Sequence, residues 1–566
     1  MKSRWLAYAF MLVGLLSLGY ACKGGGDVAF IMVLETSPEE GRTDVQVDTR
    51  IGFRINANID RETLTNDTFF VTDSQGTRIQ GTFEFDDEEP DVAVLIPDDP
   101  LSVITDFTAT ITTGLASSGG ATLDKDFEWD FTTLDSAWGK DDWLEFVGTG
   151  TSDQHQIAVD AQSDAIAVWE YTEPAGTRIW ANRYTRVFLW GEPEPIDDGN
   201  QPSSNPRLAT DDAGNGFAVW QQSVAAALNN IWTNRYVVGE GWGTPVLLQN
   251  VDESTNARSP SVAADPAGNA IAVWVQRDMD SPNRVVWANR YEPGSGWGLA
   301  ESIDPIPTPT VGEKISLGMD DSGNAIAVWA RQTVPSGGGR GEVLWANRYV
   351  AGVGWGDAGL IKPDPETRAR DERLSVGPNG DAFVVWVQNQ DARDDIWGVR
   401  FSASGWEAPE RIDDYDAGNK KQPDVAVDGM GIAHAVWSQA DQDLTPDFEN
   451  IYANQYSSGW GTPELIEPPN EEPDEDGDAE TPRVGVNADG NVFVVWTQVW
   501  QDWVSVWSNR RDPVEMSWMP MRTERIEDTE RAARLPKVVV DDNRHAHAVW
   551  LHNISGSQWV RTNRFE

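Results

Sequence analysis

Short apolar runs broken by polar turns fill most of the chain, and their clearest form covers residues 265–291, DPAGNAIAVWVQRDMDSPNRVVWANRY. A turn leads into an apolar run that ends in Trp274, and a second run contains Trp287. Runs rich in Val, Ile and aromatic residues between turns are typical of β-strands. The pattern occurs eight times, with core tryptophans Trp169, Trp220, Trp274, Trp329, Trp386, Trp437, Trp496 and Trp550.

Each repeat predicts four antiparallel strands, which the third repeat illustrates. Its strands are expected at 261–265, 270–276, 285–291 and 297–303. The core tryptophans are spaced by 51 to 59 residues. A repeat of that length built only from strands indicates a β-propeller.

The two ends of the repeat region complete each other. The last repeat contains only three of its strands before the chain stops at Glu566, and a fourth-strand pattern, WGKDDWLEFV, stands at 138–147. Pairing this segment with the last repeat would leave no open sheet edge. The prediction for 136–566 is therefore an eight-bladed propeller closed by 138–147, with seven blades as the alternative.

Residues 27–135 lack the repeat and alternate short β-type runs with turns over about 100 residues, which is typical of an Ig-like β-sandwich. The pieces SPEEGRTDVQVDTRIGFRIN, PDDPLSVITDFTATITTGL and WDFTT resemble the SbsA-type bacterial Ig-like domain. The resemblance implies a spacer or adhesion module of a secreted protein. The whole chain is thus predicted to be all-β.

The N-terminus predicts export. Lys2 and Arg4 precede an apolar run over 5–19, a pattern typical of a secretory signal. LGYAC resembles a bacterial lipobox, which implies lipidation of Cys22, although Gly19 stands where Leu is usual. Residues 23–26 would then be a tether, and Lys23 favours the outer membrane. Ordinary signal cleavage nearby is the alternative.

The acidic composition limits the classes of binding partner that the chain can have. The formal net charge is −48 with a pI near 4.3, so nucleic acid is excluded as a partner. Proteins or polysaccharides of the envelope or cell surface remain, with the membrane reached through the lipid anchor. We expect a monomer. Cys22 is the sole cysteine, so no intrachain disulfide is possible.

The repeated side chains have two interpretations. Gln lies two residues after the tryptophan in five repeats, and Asn recurs on the third strand, followed by Arg in six of seven cases. These groups could satisfy each other between blades, with Arg on a rim carboxylate. Alternatively, Trp, Asn and Arg could build a ring of sugar pockets. The Asp-x-x-Gly-Asn turns resemble the Asp-box of sialidases, but their tryptophan comes six residues after the Gly.

Candidate binding residues follow the fourth strands, on the face of the long variable loops, because binding groups concentrate on loops. An isoleucine followed by an acid recurs there, which places Asp197, Asp304, Asp413, Glu467 and Glu527 on an acidic ligand-binding face. Asp474, Asp476, Asp478 and Glu480 surround Gly477 and are candidate Ca²⁺ ligands.

Catalytic chemistry is weakly marked. The five histidines are His155, His434, His545, His547 and His552, and the sequence contains no GxSxG, HExxH or phosphate loop. We therefore predict a non-enzymatic envelope lipoprotein with a binding or scaffolding propeller. A glycan-binding lectin and a carbohydrate-active hydrolase or lyase remain as alternatives.

Overall fold

The structure is a computed structural model that describes residues 30–565 outside a set of gaps. The gaps are 46–48, 86–88, 99–100, 102–104, 134–136, 146–147, 187–188, 226–227, 251–254, 278–282, 305–310, 334–340, 363, 365–366, 391–392, 414–417, 442–447, 468–475, 501–502, 512–517, 519–521, 528–531 and 555. Cys22 and the tether lie outside the described residues. The chain divides into two units, Met1–Ala137 and Trp138–Glu566.

The first unit contains two four-stranded sheets, ordered β1-β3-β6-β5 and β2-β8-β7-β4, and one 3₁₀ turn at Arg61–Thr63. Its strands are β1 (Val33–Ser37), β2 (Arg42–Val45), β3 (Ile51–Ile55), β4 (Phe69–Asp73), β5 (Gly81–Glu84), β6 (Val92–Pro97), β7 (Asp106–Ile111) and β8 (Phe127–Thr133). Both sheets contribute to one core, where Phe69 stacks on Trp129 at 6.0 Å and meets Phe53 edge-on at 4.9 Å.

In the second unit the described residues form eight antiparallel repeat sheets, numbered here in chain order. Sheets one to four contain β10 (Thr151–Val159), β11 (Ala165–Glu173), β12 (Gly176–Thr185), β13 (Leu189–Trp190), β14 (Glu194–Pro195); β15 (Ser203–Thr210), β16 (Gly216–Ala225), β17 (Leu228–Val237), β18 (Gly241–Trp242), β19 (Val246–Leu247); β20 (Ala257–Ala264), β21 (Ala270–Arg277), β22 (Arg284–Glu292), β23 (Gly296–Trp297), β24 (Glu301–Ser302); and β25 (Val311–Met319), β26 (Ala325–Thr333), β27 (Gly341–Val350), β28 (Gly354–Trp355), β29 (Gly359–Lys362).

Sheets five to eight follow the same plan, and one parallel bridge, Glu342–Arg368, joins sheets four and five. They contain β30 (Arg368–Val376), β31 (Ala382–Gln390), β32 (Arg393–Ser402), β33 (Gly405–Trp406), β34 (Glu410–Arg411); β35 (Lys420–Val427), β36 (Ala433–Asp441), β37 (Phe448–Tyr456), β38 (Glu464–Leu465); β39 (Asp476–Val486), β40 (Val492–Trp500), β41 (Trp503–Arg511), β42 (Glu524–Arg525); and β43 (Ala533–Val540), β44 (Ala546–Ile554), β45 (Ser557–Phe565) with β9 (Asp142–Trp143). The prediction of an all-β chain is confirmed.

The predicted fourth strand is divided in most sheets. In sheet three, β23 and β24 both pair with β22, but residues 298–300 between them do not. Gly296 has φ +80°, a conformation that favours glycine, and it starts the first of these two segments. The fourth position therefore contributes short pairs rather than the continuous strand 297–303.

The first strand of each sheet contains a bulge and extends on both sides of it. In sheet three the observed strand is therefore longer than the predicted one, which covered only the part after the bulge. In sheet three, β20 starts at Ala257, and the pairing register shifts between Arg258 and Ser261. Ser259 has φ +53°, and Pro260 has no backbone N–H to donate to the ladder. The sequence pattern detected only the part of this strand that follows the bulge.

Sheets that follow each other in sequence also lie side by side. Each first strand lies against the first strand of the next sheet, and β43 of sheet eight lies against β10 of sheet one. Asn543 of sheet eight donates to the Ser163 hydroxyl of sheet one at 2.8 Å. The segment before sheet one joins sheet eight, since β9 pairs with β45 through Trp143–Arg561 and Asp142–Thr562.

The turn after each first strand requires glycine where neighbouring sheets approach. Gly268 has φ +83°, and a Cβ there would lie 3.0 Å from an Asp211 carboxylate oxygen of the preceding sheet. Asp265 accepts hydrogen bonds from the Asn269 backbone and side chain within the same turn. These turns therefore have a structural part in sheet contacts. No helix in the described part of the chain is long and apolar enough to cross a membrane.

Candidate functional site

The acids predicted to form a binding face are buried. Asp197, Asp413 and Glu467 each accept a hydrogen bond from a third-strand backbone N–H, at 3.1, 3.1 and 2.8 Å. Asp304 pairs with Arg331, and both side chains are fully buried. The structure thus gives these acids partners inside the protein, whereas the prediction placed them on a ligand-binding loop face. Their binding of a partner remains a prediction.

A polar side chain occupies the same position in all eight repeats, directly after the last apolar residue of the fourth strand. None of these eight residues is more than 7% exposed. They are Glu145, Asp197, Gln249, Asp304, Lys362, Asp413, Glu467 and Glu527. Lys362 donates to the carbonyls of Glu342, Asp364 and Thr367. This position therefore ties the loop that follows to the third strand.

Two of these buried acids titrate far from their ordinary range. Burial raises the pKa of Glu145 to about 7 and that of Glu527 to about 8, against 4.5 for a free glutamate. Hydrogen bonds from Val560 and Ser152 to Glu145 oppose the shift of its pKa without cancelling it. In the folded protein Glu145 therefore favours the protonated form below about pH 7 and Glu527 below about pH 8.

We expect the contribution of Glu145 and Glu527 to the stability of the repeat region to fall as pH rises from about 4.5 towards 8, while the buried His155 and His547 act in the opposite direction below about pH 6.5. A raised pKa means that the folded state holds a proton that the unfolded chain releases, so stability is lost through this window. Glu527→Gln should remove part of the loss, on the order of 2–4 kcal/mol, in urea unfolding at acidic and mildly alkaline pH. The exposed Glu240→Gln is the control, and equal pH dependence in both variants would contradict the expectation.

The candidate Ca²⁺ ligands are only partly described. Asp474 and the side chain of Asp476 lie outside the described residues. Asp478 accepts a hydrogen bond from the Glu449 backbone at 3.0 Å, and Glu480 pairs with Lys421 at 2.5 Å. In the described part of the chain, no three His, Cys, Asp or Glu side chains are grouped to hold a metal ion. Calcium binding remains a prediction.

The repeated Trp and Gln side chains satisfy each other. In five repeats the tryptophan Nε1–H donates to the Gln Oε1 two residues later, at 2.8 to 3.2 Å. The pairs are Trp220–Gln222, Trp274–Gln276, Trp386–Gln388, Trp437–Gln439 and Trp496–Gln498. All eight core tryptophans are at most 1% exposed. These rings are therefore part of the packing between strands.

The repeated asparagines join consecutive sheets. The Asn289 amide donates to the Leu248 carbonyl of the preceding repeat at 3.1 Å and to the Gly298 carbonyl at 3.2 Å. Asn182 of sheet one makes the equivalent bond to Leu144, in the segment that pairs with sheet eight. The amide therefore connects two sheets at equivalent places around the repeat region.

Replacing Asn289 by alanine should lower the free energy of unfolding by about 1–3 kcal/mol, because a buried carbonyl loses its donor. Urea unfolding measures the change. The exposed Asn200→Ala, on a surface loop, is the matched control and should have little effect. Equal losses in the two variants would show that Asn289 does not hold the sheets together.

The arginine after each asparagine contacts an aromatic ring of the next sheet more often than a carboxylate. Arg290 lies over Tyr349 at 5.5 Å, Arg510 over Phe565 at 4.6 Å, and Arg564 of sheet eight over Tyr184 of sheet one at 4.9 Å. Arg183 does pair with Asp164, at 2.6 Å. Cation–π contact between sheets is thus the main use of this arginine, where the sequence had indicated a rim carboxylate.

His545 and His547 contact other side chains of the repeat sheets. His545 contacts Asp541 within its turn at 2.9 Å, and His547 meets Tyr184 edge-on at 4.8 Å. Burial lowers the pKa of His155 and of His547 to about 3. These two rings are therefore neutral at physiological pH.

The residues that differ most between repeats lie at one level of the first strands. In each sheet one first-strand residue pairs with the second-strand Val that precedes the core tryptophan. We call these eight residues the central layer: Gln156, Arg207, Ser261, Ser316, Arg373, Asp424, Arg483 and Lys537. In seven sheets the layer residue is the first one after the bulge, a place where strands often redirect a side chain next to a functional site.

Four cations and one carboxylate occupy the central layer. Arg207, Arg373 and Arg483 each donate one guanidinium N–H to the backbone carbonyl just before them, at 2.8, 3.1 and 2.6 Å. Asp424 lies 3.7 Å from Arg373. Among the described residues, no carboxylate is within ion-pair distance of Arg207, Arg483 or Lys537.

These cations from separate sheets lie close enough to repel each other. Burial holds the pKa of Lys537 well below its usual value, and Arg207, Arg483 and Arg373 add to the decrease. Burial also lowers the pKa of Arg483, with a contribution from Arg373, while Asp424 opposes it. The central layer thus contains a group of basic side chains contributed by sheets two, five, seven and eight. Sequence reasoning missed it, although the signal was a repeat position with unlike residues.

Comparison with known proteins identifies the N-terminal unit. Residues 27–133 match the model of the bacterial Ig-like domain family. This segment is a bacterial Ig-like domain. The two-sheet sandwich described above agrees with that assignment, and the Ig-like prediction is confirmed. No curated protein matches the chain.

Solved structures resemble the chain only distantly. A protein of unknown function from Dyadobacter fermentans is 10% identical at TM-score 0.38, covering 76% of this chain and 99% of its own. An ulvan lyase, a polysaccharide lyase bound to -[GlcA(1-4)Rha3S]-, has the same identity and score, over 76% and 95%. The leech intramolecular trans-sialidase is 10% identical at TM-score 0.34, over 96% and 92%. At scores this low the likenesses transfer no activity to this chain.

Proposed function

We propose that residues 138–566 form an eight-bladed β-propeller with one repeat sheet per blade. The pairing of β9 with β45 supports closure of the last blade by the segment that precedes the first. The contacts of Arg564 with Tyr184 and of Asn543 with Ser163 support a junction between sheets eight and one. Seven blades would leave one of the eight sheets without a place.

The propeller acts as a non-enzymatic binding module, and its ligand binds at the central layer. One observation carries this proposal: equivalent positions on eight first strands that lie side by side hold unlike polar side chains. The residues that repeat are used for packing instead. Core tryptophans are at most 1% exposed and Asn289 is 2% exposed, so they offer no ring of open sugar pockets. A single central site is therefore favoured over a lectin with one pocket per repeat.

The signal and lipobox patterns of the N-terminus support a location of this module at the cell envelope. Lipidation of Cys22 would hold the protein at the outer membrane, with residues 23–26 as a tether and the Ig-like domain as a spacer. The partners would be proteins or polysaccharides of the envelope or cell surface. The clustering of unlike chemistry at the centre suits recognition of one particular partner rather than a general adhesive surface.

Steric blocking of the central layer tests the proposal without changing charge. Ser261→Phe fills a layer position, and Ser404→Phe places the same ring on an exposed turn. Soluble protein spanning 27–566 is titrated calorimetrically with fractionated envelope polysaccharide and lipopolysaccharide. We expect a single site per molecule, lost in Ser261→Phe and kept in Ser404→Phe. Several equivalent sites that tolerate Ser261→Phe would overturn the central-site proposal and favour the lectin.

A further inference from the structure

We propose that the central layer is an anion-binding site that takes a sulfate, phosphate or carboxylate group of the ligand. This inference rests on the proposed binding function and adds the chemical class of the bound group. The geometry behind it is the common register position of Arg207, Arg373, Arg483 and Lys537 on first strands that lie side by side around the repeat region. The sequence predicts an acidic ligand-binding face and a Ca²⁺ site, so a cationic central layer reverses the expected sign of the site.

The charge balance of the layer calls for a counter-charge. Its three arginines and one carboxylate leave a local excess of two positive charges even with Lys537 neutral, in a chain whose net charge is −48. Enclosed cations are normally paired, because desolvation and mutual repulsion both oppose them. Dozens of acids elsewhere in the sequence were available for pairing, yet only Asp424 stands in this layer. An anionic ligand would supply the missing charge.

The arginines are oriented for this role. Each arginine donates one guanidinium N–H to the backbone carbonyl of the residue before it, and this hydrogen bond orients the guanidinium plane. The remaining N–H groups can form the forked hydrogen bonds that suit carboxylate, sulfate and phosphate oxygens. Arg207 and Arg483, which have no carboxylate within ion-pair distance in the described part of the chain, would thus hold an oxyanion between different sheets.

The other members of the layer are compatible with an anion. Ser261, Ser316 and Gln156 bring hydroxyl and amide groups that can donate hydrogen bonds. The single acid is already engaged, since Asp424 accepts a hydrogen bond from the Val484 backbone at 3.1 Å and lies beside Arg373. The layer therefore presents donors on most sides, with its one carboxylate turned to protein groups.

Lys537 provides a second, independent readout. In the free protein burial, followed by the neighbouring Arg207, Arg373 and Arg483, lowers the pKa of Lys537 and favours the neutral amine. A bound anion would favour the charged form, so binding should be accompanied by proton uptake. Calorimetric titration in two buffers of different ionisation enthalpy measures that uptake directly.

Thermal unfolding of the soluble chain in inorganic phosphate, against chloride at equal ionic strength, tests the site. The central variant carries Arg207→Gln, Arg483→Gln and Lys537→Gln; the control carries Arg50→Gln, Arg78→Gln and Lys125→Gln, the same charge change in the Ig-like domain. We expect phosphate to raise the melting temperature of wild type and control but not of the central variant. Without phosphate and at low salt, the central variant should melt higher than the control, because repulsion is relieved.

Polymer probes identify the anionic group and separate this inference from the proposed function. Dextran sulfate, polygalacturonate and neutral dextran are compared for wild type and the central variant. Binding of either charged polymer that weakens at least tenfold in the central variant supports the anion site. Equal phosphate response in both variants, or stronger binding of neutral dextran, overturns it. Envelope ligands that are blocked by Ser261→Phe yet unaffected by the three charge substitutions would refute the anion site and leave the central binding function standing.

Discussion

Replacing Arg331 by alanine is expected to lower the free energy of unfolding of the repeat region by about 3–5 kcal/mol. Arg331 and Asp304 form an ion pair in which both side chains are fully buried, and the guanidinium also lies 5.7 Å from the Trp345 ring centre. Alanine would remove the cation and leave the Asp304 carboxylate without its partner in a dry environment. Urea unfolding followed by tryptophan fluorescence measures the loss.

A paired substitution separates the ion pair from simple packing. Five other repeats have Gln at the position of Arg331, where it accepts from the core tryptophan. Arg331→Gln with Asp304→Asn removes both charges and introduces at Trp329 the tryptophan–glutamine pair of those five repeats. We expect the double variant to lose clearly less stability than Arg331→Ala. A loss below about 1 kcal/mol for Arg331→Ala itself would show that the pair contributes little.

Trp274→Ala should have an effect of similar size, about 3–5 kcal/mol, because it removes a large ring from a close-packed site. Trp274 is fully buried, contributes to the apolar cluster between sheets two and three, and donates to Gln276 at 2.8 Å. Trp503, which is 44% exposed, gives the matched control. Trp503→Ala should cost far less in the same unfolding measurement. Similar losses would contradict the view that the repeated ring holds neighbouring sheets together.

The elements built from local pattern were predictable. Alternation along a strand put Trp274 and Gln276 on one face, and the hydrogen bond between their side chains follows from that periodicity. The segment 138–147 was assigned to the last sheet from a missing fourth strand, and β9 pairs with β45. The all-β class and the Ig-like domain rest on the same kind of short-range evidence.

The central layer could not be read in the same way, because it depends on contacts between distant repeats. Arg207, Arg373, Arg483 and Lys537 are single cations in separate strands, and no local spacing connects them. The bulge before each of them also lies where the strand pattern had been interrupted, as at Pro206 and Pro482. Only the side-by-side arrangement of the first strands brings the four together.

The burial of the repeated acids also depends on contacts that the sequence does not show. Ile followed by an acid at the strand ends indicated an exposed charged face. The sequence could not show that a third-strand backbone N–H lies beside the acid and donates to it. Asp197 and Glu467 turn inward to accept that hydrogen. A buried donor at the end of a short fourth strand needs an acceptor, and a carboxylate or the Gln249 amide meets the need equally. These periodic acids therefore have hydrogen-bond partners inside the protein, and their binding of a ligand remains a prediction.

Anomalous diffraction from crystals of the soluble chain grown with selenate tests the central claim most directly. Selenate has the shape and charge of sulfate, and its selenium can be located without reference to the protein density. The central-layer site predicts one strong anomalous peak within hydrogen-bond distance of Arg207, Arg483 and Lys537, absent in the variant that carries glutamine at all three. Selenate bound only outside the layer, or equally in that variant, would contradict it.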